Sequence, residues 1–247
     1  MCIRDRTGAA GYLFNSVANN LLSNGCKVAY LDKNIKGIER FLTKEDPKRE
    51  KSIALEIDVR KKQDFVKCLK NIKNKFGKID TLINGAGINA PTDFLKIEEK
   101  EWDDITAVHL KGTLFGCQVF GEEMLKKKYG TIINVSSASS GPPLSKAYTY
   151  SVSKAGIKNL TQNLAREWAS KGIRVNSIRP GFFPTDWSKK HFIDKKRHKL
   201  IMNHTPMLRY GKPNELFGGI VWLISDASTF VTGAEIPIDG GFSSMTI

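Results

Sequence analysis

Two side chains that can exchange protons stand four residues apart in the segment "AYTYSVSK", at Tyr150 and Lys154. Because residues four apart lie on one face of a helix, a predicted helix here brings them within mutual reach. An ammonium group within about 4–6 Å lowers the pKa of a neighbouring acid by roughly 1–3 units, so Tyr150 is expected to exchange a proton with a carbinol or carbonyl oxygen. Tyr148 fails the same test because its +4 residue is Val152.

A group of serines precedes this helix at the end of the apolar run "GTIINVS". Ser137 lies 13 positions before Tyr150, and we expect its hydroxyl to hydrogen-bond the same substrate oxygen. Ser136, Ser139 and Ser140 leave this assignment open by a residue or so. A serine hydrolase is disfavoured because no G-x-S-x-G turn occurs and the histidines show no serine–acid arrangement.

Short apolar runs that alternate with longer amphipathic stretches predict the scaffold for these residues. The runs predict strands over 27–32, 52–58, 80–84, 130–136, 173–178 and 235–239, and the amphipathic stretches predict helices over 11–24, 34–45, 61–76, 99–127, 148–171 and 213–225. This alternation is typical of an α/β fold and predicts a doubly wound, Rossmann-type parallel sheet in one domain, residues 1–247. We also expect Asp58 to help start the helix near residue 61.

The segment "TGAAG", residues 7–11, has the composition of a glycine-rich loop that holds a pyrophosphate at a helix N-terminus. Gly8 and Gly11 would let the backbone approach the phosphates. About twenty residues on, the strand "KVAYLD" ends in Asp32, whose carboxylate would accept from the adenosine ribose and repel a 2′-phosphate. The sequence therefore favours NAD over NADP, a preference that Lys33 and Lys36 weaken.

Composition argues against several other classes of protein. The formal net charge is +14, but the lysines are spread along the chain without a basic arm or an RNA-binding motif, so no nucleic-acid partner is expected. The charge instead favours an anionic small-molecule substrate. The four cysteines have no metal-ligand spacing, so no metal site is predicted. Because the chain shows neither an apolar span nor a secretory signal, we expect a cytoplasmic protein with no membrane partner.

Taken together, these motifs resemble the short-chain dehydrogenase/reductase family over residues 7–247. The likeness is carried by "TGAAG", Asp32, "DV" at 58–59, "NGAG" at 84–87, Ser137 with "YSVSK", "RPGFFPT" and "FVTGAEIPIDGGFS". Within that family the chain looks most like the branch of sugar-acid and polyol dehydrogenases that includes D-mannonate oxidoreductase (fructuronate reductase). The resemblance implies hydride transfer between a nicotinamide cofactor and a carbonyl or secondary alcohol, and it implies a homotetramer.

The resemblance also implies roles for residues of this chain. Tyr150 would be the acid/base, Ser137 would orient the substrate oxygen, and Lys154 would lower the pKa of the tyrosine and hold the nicotinamide ribose. The residues implied to contact the cofactor are Thr7, Gly8, Gly11, Leu13, Asp32, Asp58, Val59, Asn84, Gly85, Ala86, Gly87, Tyr150, Lys154, Pro180, Gly181 and Thr185.

Three positions depart from the family pattern. Phe14 stands where the family usually has a third glycine, at a point of close helix–strand packing. His109 stands where a catalytic asparagine is usual, and we expect its imidazole to substitute in holding a water of a proton relay to the lysine. "MCIRDR" replaces an apolar first strand, so we expect that strand to be missing, truncated or abnormal and residues 1–6 not to be the natural start.

The basic segment 182–206 follows the carboxyl end of a strand and is expected to form a lid over the substrate. Its cations are Lys189, Lys190, Lys195, Lys196, Arg197 and Lys199, and its acids are Asp186 and Asp194. A cationic lid would favour a substrate carboxylate, and the alternative is a solvated helix face. Two other functions stay open: a 3-oxoacyl-carrier-protein reductase, and a catalytically impaired cofactor-binding or structural homologue.

Overall fold

The computed structural model describes residues 3–7, 9, 11–142 and 144–245. The strands within these ranges are β1 (Ile3–Thr7), β2 (Lys27–Asp32), β3 (Ser52–Glu56), β4 (Thr81–Asn84), β5 (Gly130–Val135), β6 (Ile173–Pro180) and β7 (Glu235–Ile238). The α-helices are α1 (Tyr12–Ser23), α2 (Lys36–Glu45), α3 (Lys62–Phe76), α4 (Glu99–Thr106), α5 (Gly112–Lys127), α6 (Tyr148–Trp168), α7 (Asp186–His191), α8 (Lys195–Asn203) and α9 (Glu215–Ile224). None of the described helices is long and apolar enough to cross a membrane.

The strands form one parallel sheet in the order β3-β2-β1-β4-β5-β6-β7. The order reverses between β1 and β4, because the chain crosses from one half of the sheet to the other after β3. Open α/β sheets bind their ligands at such a reversal, outside the carboxyl ends of the strands. The predicted doubly wound, Rossmann-type fold is therefore confirmed.

Strand β1 lies at the centre of this sheet. It pairs with β2, where Thr7 is opposite Leu31, and with β4, where Thr7 is opposite Asn84. The prediction that the first strand is missing is therefore wrong, because the backbone of residues 3–7 supplies the ladder whatever its side chains are. Its composition is still abnormal, since "RDR" occupies a position that parallel sheets usually fill with apolar residues.

Helices cover both faces of the sheet, and β2, β4 and β5 each divide their side chains between two apolar layers. Ile132 of β5 packs in the layer with Phe120 of α5, whereas its neighbour Ile133 packs in the layer with Leu216 of α9. The alternation follows from the strand geometry, in which successive side chains point to opposite faces. Phe14 is 5% exposed in the second layer, so the core accommodates the ring that replaces the third glycine of the family pattern.

The helix predicted over 99–127 is interrupted in the structure. α4 ends at Thr106, a π-helical turn follows over Ala107–Lys111, and α5 begins at Gly112. Turns of this kind are rare and frequently occur at functional sites. His109 lies within the turn and is 1% exposed, so the interruption coincides with the departure from the family pattern noted above. The apolar pattern missed it because π and α turns differ by too little to change that pattern over one turn.

Candidate active site

A cavity of about 890 Å³ opens at the carboxyl ends of the central strands. The predicted site residues that line it are Gly11, Leu13, Asp32, Asp58, Val59, Gly85, Ala86, Gly87, His109, Ser137, Tyr150, Lys154, Pro180, Gly181 and Thr185. Thr7 is the last residue of β1, and Gly8 lies outside the described residues. The fold thus brings most of the residues singled out from the sequence to one place.

Asn84 is the predicted site residue whose side chain the structure places elsewhere. It is buried at the end of β4, where its Nδ2 donates to Oδ1 of Asn134 at 2.9 Å. Asn134 in turn donates through its Nδ2 to the hydroxyl of Thr161 at 2.9 Å. Because a buried amide needs partners inside the protein, this side chain ties β4 to β5 and to α6 and is not among the described groups that line the cavity.

Tyr150, Ser137 and Lys154 form a group at one end of the cavity. All three side chains line the cavity, Ser137 acts to lower the pKa of Tyr150, and the Nζ of Lys154 lies 5.3 Å from the centre of the Tyr150 ring. The Nζ also donates to the carbonyl oxygen of Val135 at 2.6 Å, which anchors α6 to the end of β5. The four-residue spacing on α6 therefore positions Tyr150 and Lys154, and the loop that follows β5 positions Ser137.

Hydrogen bonds distinguish the neighbouring serines. The hydroxyl of Ser136 donates to Glu235 at 2.6 Å and that of Ser140 donates to the same carboxylate at 3.0 Å. Ser139 donates to Oγ of Ser137 at 3.2 Å through its backbone N–H and at 3.1 Å through its hydroxyl. The three neighbours thus hold the loop, and Ser137 is the serine of this group that influences the pKa of Tyr150.

Tyr148, which the spacing argument rejects, lies apart from this group. Its ring is 46% exposed and packs against Phe94 with 5.3 Å between the ring centres. It is absent from the described lining of the cavity. The spacing to Lys154 therefore selected the correct tyrosine of the two for a position in the cavity.

Burial dominates the proton affinities at this end of the cavity. Desolvation raises the pKa of Tyr150, and Ser137 only partly offsets the rise. Burial also lowers the pKa of Lys154 to about 7. The predicted lowering of the Tyr150 pKa by the ammonium is therefore wrong in this structure, because the same burial that brings Lys154 close disfavours the charge on both groups.

His109 lies against the tyrosine, with 5.2 Å between the two ring centres. Its Nε2 is 2.7 Å from the carbonyl oxygen and 3.1 Å from the N–H of Ile88, so the tautomer decides which of the two bonds forms. Its Nδ1 is buried without a hydrogen-bond partner among the described residues. Burial, with the charge of Lys154 as a smaller cause, lowers the pKa of His109 to about 3 and keeps the ring neutral.

Gly87 makes room for this imidazole. A Cβ atom at position 87 would lie 2.6 Å from Cε1 of His109, which is closer than real Cβ contacts. Part of the "NGAG" motif therefore serves side-chain packing at the tyrosine, in addition to the predicted approach of a cofactor. The two positions form a structural pair that the sequence pattern did not reveal.

The opposite end of the cavity carries exposed charges. Asp32 ends β2, and its Oδ1 accepts from the N–H of Asn34 at 2.9 Å. Asp58 pairs with Arg60 at 2.7 Å, Arg60 also reaches Asp104 at 3.2 Å, and the guanidinium lowers the pKa of Asp58 to about 2. Sequence reasoning missed Arg60, although its place two residues after a candidate acid was a usable signal.

Asp58 does not cap the helix that follows it. Its Oδ1 accepts from the N–H of Arg60 at 3.1 Å, and α3 begins after Lys61 without a side-chain cap. The expectation that Asp58 starts this helix is therefore wrong, because its carboxylate is held by Arg60 outside the first turn.

The segment 182–206 contributes one wall of the cavity. Thr185 caps α7, where its Oγ1 accepts from the N–H of Ser188 at 3.0 Å, and both residues line the cavity. The other described residues of this segment that line the cavity are Phe182, Phe183, Pro184, Phe192, Ile193 and Arg197. The position expected for a lid is thus occupied, while its lysines do not line the cavity.

These residues fit a dinucleotide. An acidic acceptor ends β2, glycines line the stretch between the ends of β1 and β4, and a buried lysine and tyrosine stand at the far end. The cavity volume is also in the range of cofactor sites. An extended ligand with two riboses would place one ribose near Asp32 and the other near Lys154.

Comparison with known proteins agrees with this geometry. Residues 9–243 match the family model described as "Enoyl-(Acyl carrier protein) reductase". The NAD-dependent glycerol dehydrogenase of Listeria innocua is 34% identical, and the alignment covers 96% of this chain and 92% of the relative. The chain belongs to the short-chain dehydrogenase/reductase family and is an NAD(P)-dependent oxidoreductase acting on CH–OH groups.

Two solved structures that are similar to this chain are named for sugar acids. A protein of Haemophilus influenza, provisionally named D-mannonate oxidoreductase and holding NAD, superposes with a TM-score of 0.90 at 31% identity over 99% of this chain and 96% of its own. A gluconate 5-dehydrogenase of Burkholderia cenocepacia, in complex with NADP and tartrate, superposes with a TM-score of 0.93 at 25% identity over 99% and 96%. Both cofactors thus occur among similar proteins.

Proposed function

We propose that this protein transfers a hydride between NAD(H) and a carbonyl or secondary alcohol of a sugar acid or polyol, such as mannonate or fructuronate. The observation that carries the proposal is that Tyr150 lies beside Lys154 and lines the same cavity as Ser137 and Asp32. The similar proteins named for glycerol, gluconate and mannonate support a polyhydroxylated substrate.

The chain's own residues supply the proton chemistry, and the bound nicotinamide supplies the site that accepts or gives the hydride. In alcohol oxidation the Tyr150 oxygen takes the carbinol proton, and in carbonyl reduction its hydroxyl returns one. The Ser137 hydroxyl hydrogen-bonds the same substrate oxygen and orients it. The Nζ of Lys154, fixed by the carbonyl of Val135, supports Tyr150 and the nicotinamide ribose.

We assign NAD as the preferred cofactor on the strength of Asp32. Its carboxylate lines the cavity at the end of β2, where it would accept from the ribose hydroxyls and repel a 2′-phosphate. Lys33 also lines the cavity and acts in the opposite direction. The balance favours NADH, and the contribution of Lys33 keeps the expected ratio of affinities modest.

We include His109 in the catalytic group. Its Nδ1 is a buried polar atom without a described partner, in a ring that lines the cavity and packs on Tyr150. Leaving such an atom unpaired costs about 1–3 kcal/mol, so a water or substrate group bonded to it would be favoured. The imidazole would then serve the proton relay to Lys154 in place of an asparagine.

The first test is a titration of the purified protein with NADH and NADPH, followed by nicotinamide fluorescence. We expect NADH to bind more tightly than NADPH, and mannonate to be oxidised with NAD while fructuronate is reduced with NADH. Failure to bind either nucleotide would refute the proposal outright. Tight binding without turnover of any sugar acid or polyol would refute its substrate assignment.

A second candidate is a 3-oxoacyl-carrier-protein reductase. The description of the matching family model names an acyl carrier protein, and the net charge of +14 suits an acidic carrier. Asp32 argues against it because such a reductase usually requires NADPH. Reduction of a 3-oxoacyl thioester with NADPH that is faster than mannonate oxidation with NAD would favour this candidate.

We further propose that the protein works as a homotetramer in the cytoplasm. Apolar side chains remain exposed on α4, α5 and α6, with Trp102 40%, Leu114 38% and Val152 52% exposed. Where such exposed apolar side chains are contiguous, they mark a protein–protein interface, and we propose that these helices form one. Sedimentation analysis that finds a monomer at assay concentrations would contradict this assembly.

A further inference from the structure

Arg197 is the lid cation that the structure places in the cavity wall. Of the six basic residues between 189 and 199, it is the one among the described cavity-lining residues, and its neighbours Lys196 and Lys199 are exposed. Asp194 does not neutralise it through a side-chain bond that the structure describes. The Asp194 carboxylate instead caps α8 by accepting from the backbone N–H of Arg197 at 2.7 Å.

Hydrogen bonds hold the guanidinium of Arg197 in place but occupy only some of its N–H donors. Its Nη1 donates to the hydroxyl of Ser145 at 3.0 Å and its Nη2 donates to the Ser145 carbonyl at 2.9 Å. These bonds join α8 to the loop that leads into α6, the helix of Tyr150. Two of the five N–H donors of an arginine are thus occupied within the described part of the chain, and three can serve a ligand.

The acidic residues that line the cavity are grouped at one end of it. The lining carboxylates Asp32, Asp58 and Asp104 belong to the end where β2 and β3 finish, and Arg60 pairs with two of them. The lining residues nearest to Arg197 along the chain are Phe192 and Ile193, and Leu144 precedes its partner Ser145; all three are apolar. An anion that reaches Arg197 would meet a cation held in place by Ser145, and charge-assisted hydrogen bonds to a guanidinium are strong.

We propose that Arg197 binds the carboxylate of the substrate and thereby makes the enzyme select sugar acids over polyols. The proposal rests on the proposed function and narrows its substrate class. A planar guanidinium matches a carboxylate in geometry, whereas the lid lysines stand outside the cavity and contribute only a screened field. The selectivity therefore resides in one residue and not in the total charge of the lid.

The test compares mannonate with mannitol, which replaces the carboxylate by a neutral hydroxymethyl group. Binding of each to the protein, alone and saturated with NADH, is measured by isothermal titration calorimetry, and KM is measured with NAD. The variants are Arg197→Met, Arg197→Lys and the matched control Lys196→Met on the same helix. Loss of a charged hydrogen bond predicts about 10- to 100-fold weaker mannonate binding in Arg197→Met, with mannitol unchanged.

We expect Arg197→Lys to restore part of the affinity and Lys196→Met to behave as wild type. Equal weakening of mannonate and mannitol in Arg197→Met, an equal loss in Lys196→Met, or a wild-type protein that does not bind mannonate would each overturn the proposal. Mannonate that binds through Arg197 but is not oxidised would leave the proposal standing and refute the proposed function. Oxidation of mannonate with the same KM in Arg197→Met and wild type would refute the role of Arg197 and leave the proposed function standing.

Discussion

The two ends of the cavity handle charge in opposite ways. At the tyrosine end, defined by Ser137, Tyr150, Lys154 and His109, the lysine is 3% exposed and the histidine 1%. At the aspartate end, defined by Asp32, Asp58, Arg60 and Asp104, the side chains of Arg60 and Asp104 are 38% and 35% exposed.

The difference separates two means of setting proton affinity. Burial lowers the pKa of Lys154 to about 7 and raises that of Tyr150, because desolvation disfavours either charge. At the aspartate end the bond to Arg60 lowers the pKa of Asp58 to about 2, and the carboxylate remains ionised. The first end thus favours the neutral forms of Tyr150 and Lys154, and the second holds a permanently ionised acceptor.

The largest expected effect follows from removing the acid/base. Tyr150→Phe should lower kcat by about 10²- to 10⁴-fold, the usual contribution of a positioned acid or base, while NADH affinity stays close to wild type. Tyr148→Phe is the matched control and should retain activity. Because burial raises the Tyr150 pKa, the rate of alcohol oxidation by the wild type should still be increasing with pH near pH 9. Full activity of Tyr150→Phe would remove the tyrosine from the mechanism.

A change at the aspartate end should alter cofactor choice without altering the proton chemistry. Asp32→Asn should weaken NADH binding by about tenfold and narrow the gap to NADPH, since a charged acceptor is lost and a repulsion is relieved. Glu45→Gln, an exposed acid at the end of α2, should change neither affinity. Fluorescence titration with both nucleotides measures the effect, and an unchanged ratio would show that Asp32 does not select the cofactor.

Stability should report the burial of Lys154. Its pKa falls from an ordinary 10.5 to about 7, so between these values the unfolded chain binds more protons and the wild type becomes more stable as pH rises. Lys154→Met lacks this dependence, and the Tm of the variant minus that of wild type should be larger at pH 7 than at pH 10 by about 7–14 °C. Thermal melts across that range, with Lys158→Met as control, would contradict the assignment if the difference stays constant.

The smallest expected effect is the acid sensitivity from His109. Its pKa falls from 6.5 to about 3, so below pH 6.5 the unfolded chain takes up a proton that the folded chain refuses, and stability is lost as pH falls. His109→Asn should be less sensitive than wild type, with a gain in Tm relative to wild type of about 4–8 °C between pH 7 and pH 5. Parallel Tm curves would show that the imidazole is not buried neutral.

The sequence predicted what depends on periodicity and strand ends. Strands with apolar runs such as β5, and the approach of Tyr150 and Lys154 on α6, follow from local patterns that burial reinforces. It failed at β1, where the backbone ladder forms despite the polar composition, and it did not reveal that the Asn84 side chain bonds to Asn134 of a neighbouring strand. The sign of the Tyr150 pKa shift also escaped prediction, because spacing gives proximity and not desolvation.

The packing of Gly87 against His109 constrains the order in which this site can change over evolution. With the imidazole in place, any side chain at position 87 would collide with Cε1, whereas a smaller residue at 109 would remove that barrier. We therefore expect substitutions at 87 to be accepted in descendants of this chain only after 109 has changed. A lineage that keeps this histidine also keeps the glycine, whatever cofactor it adopts.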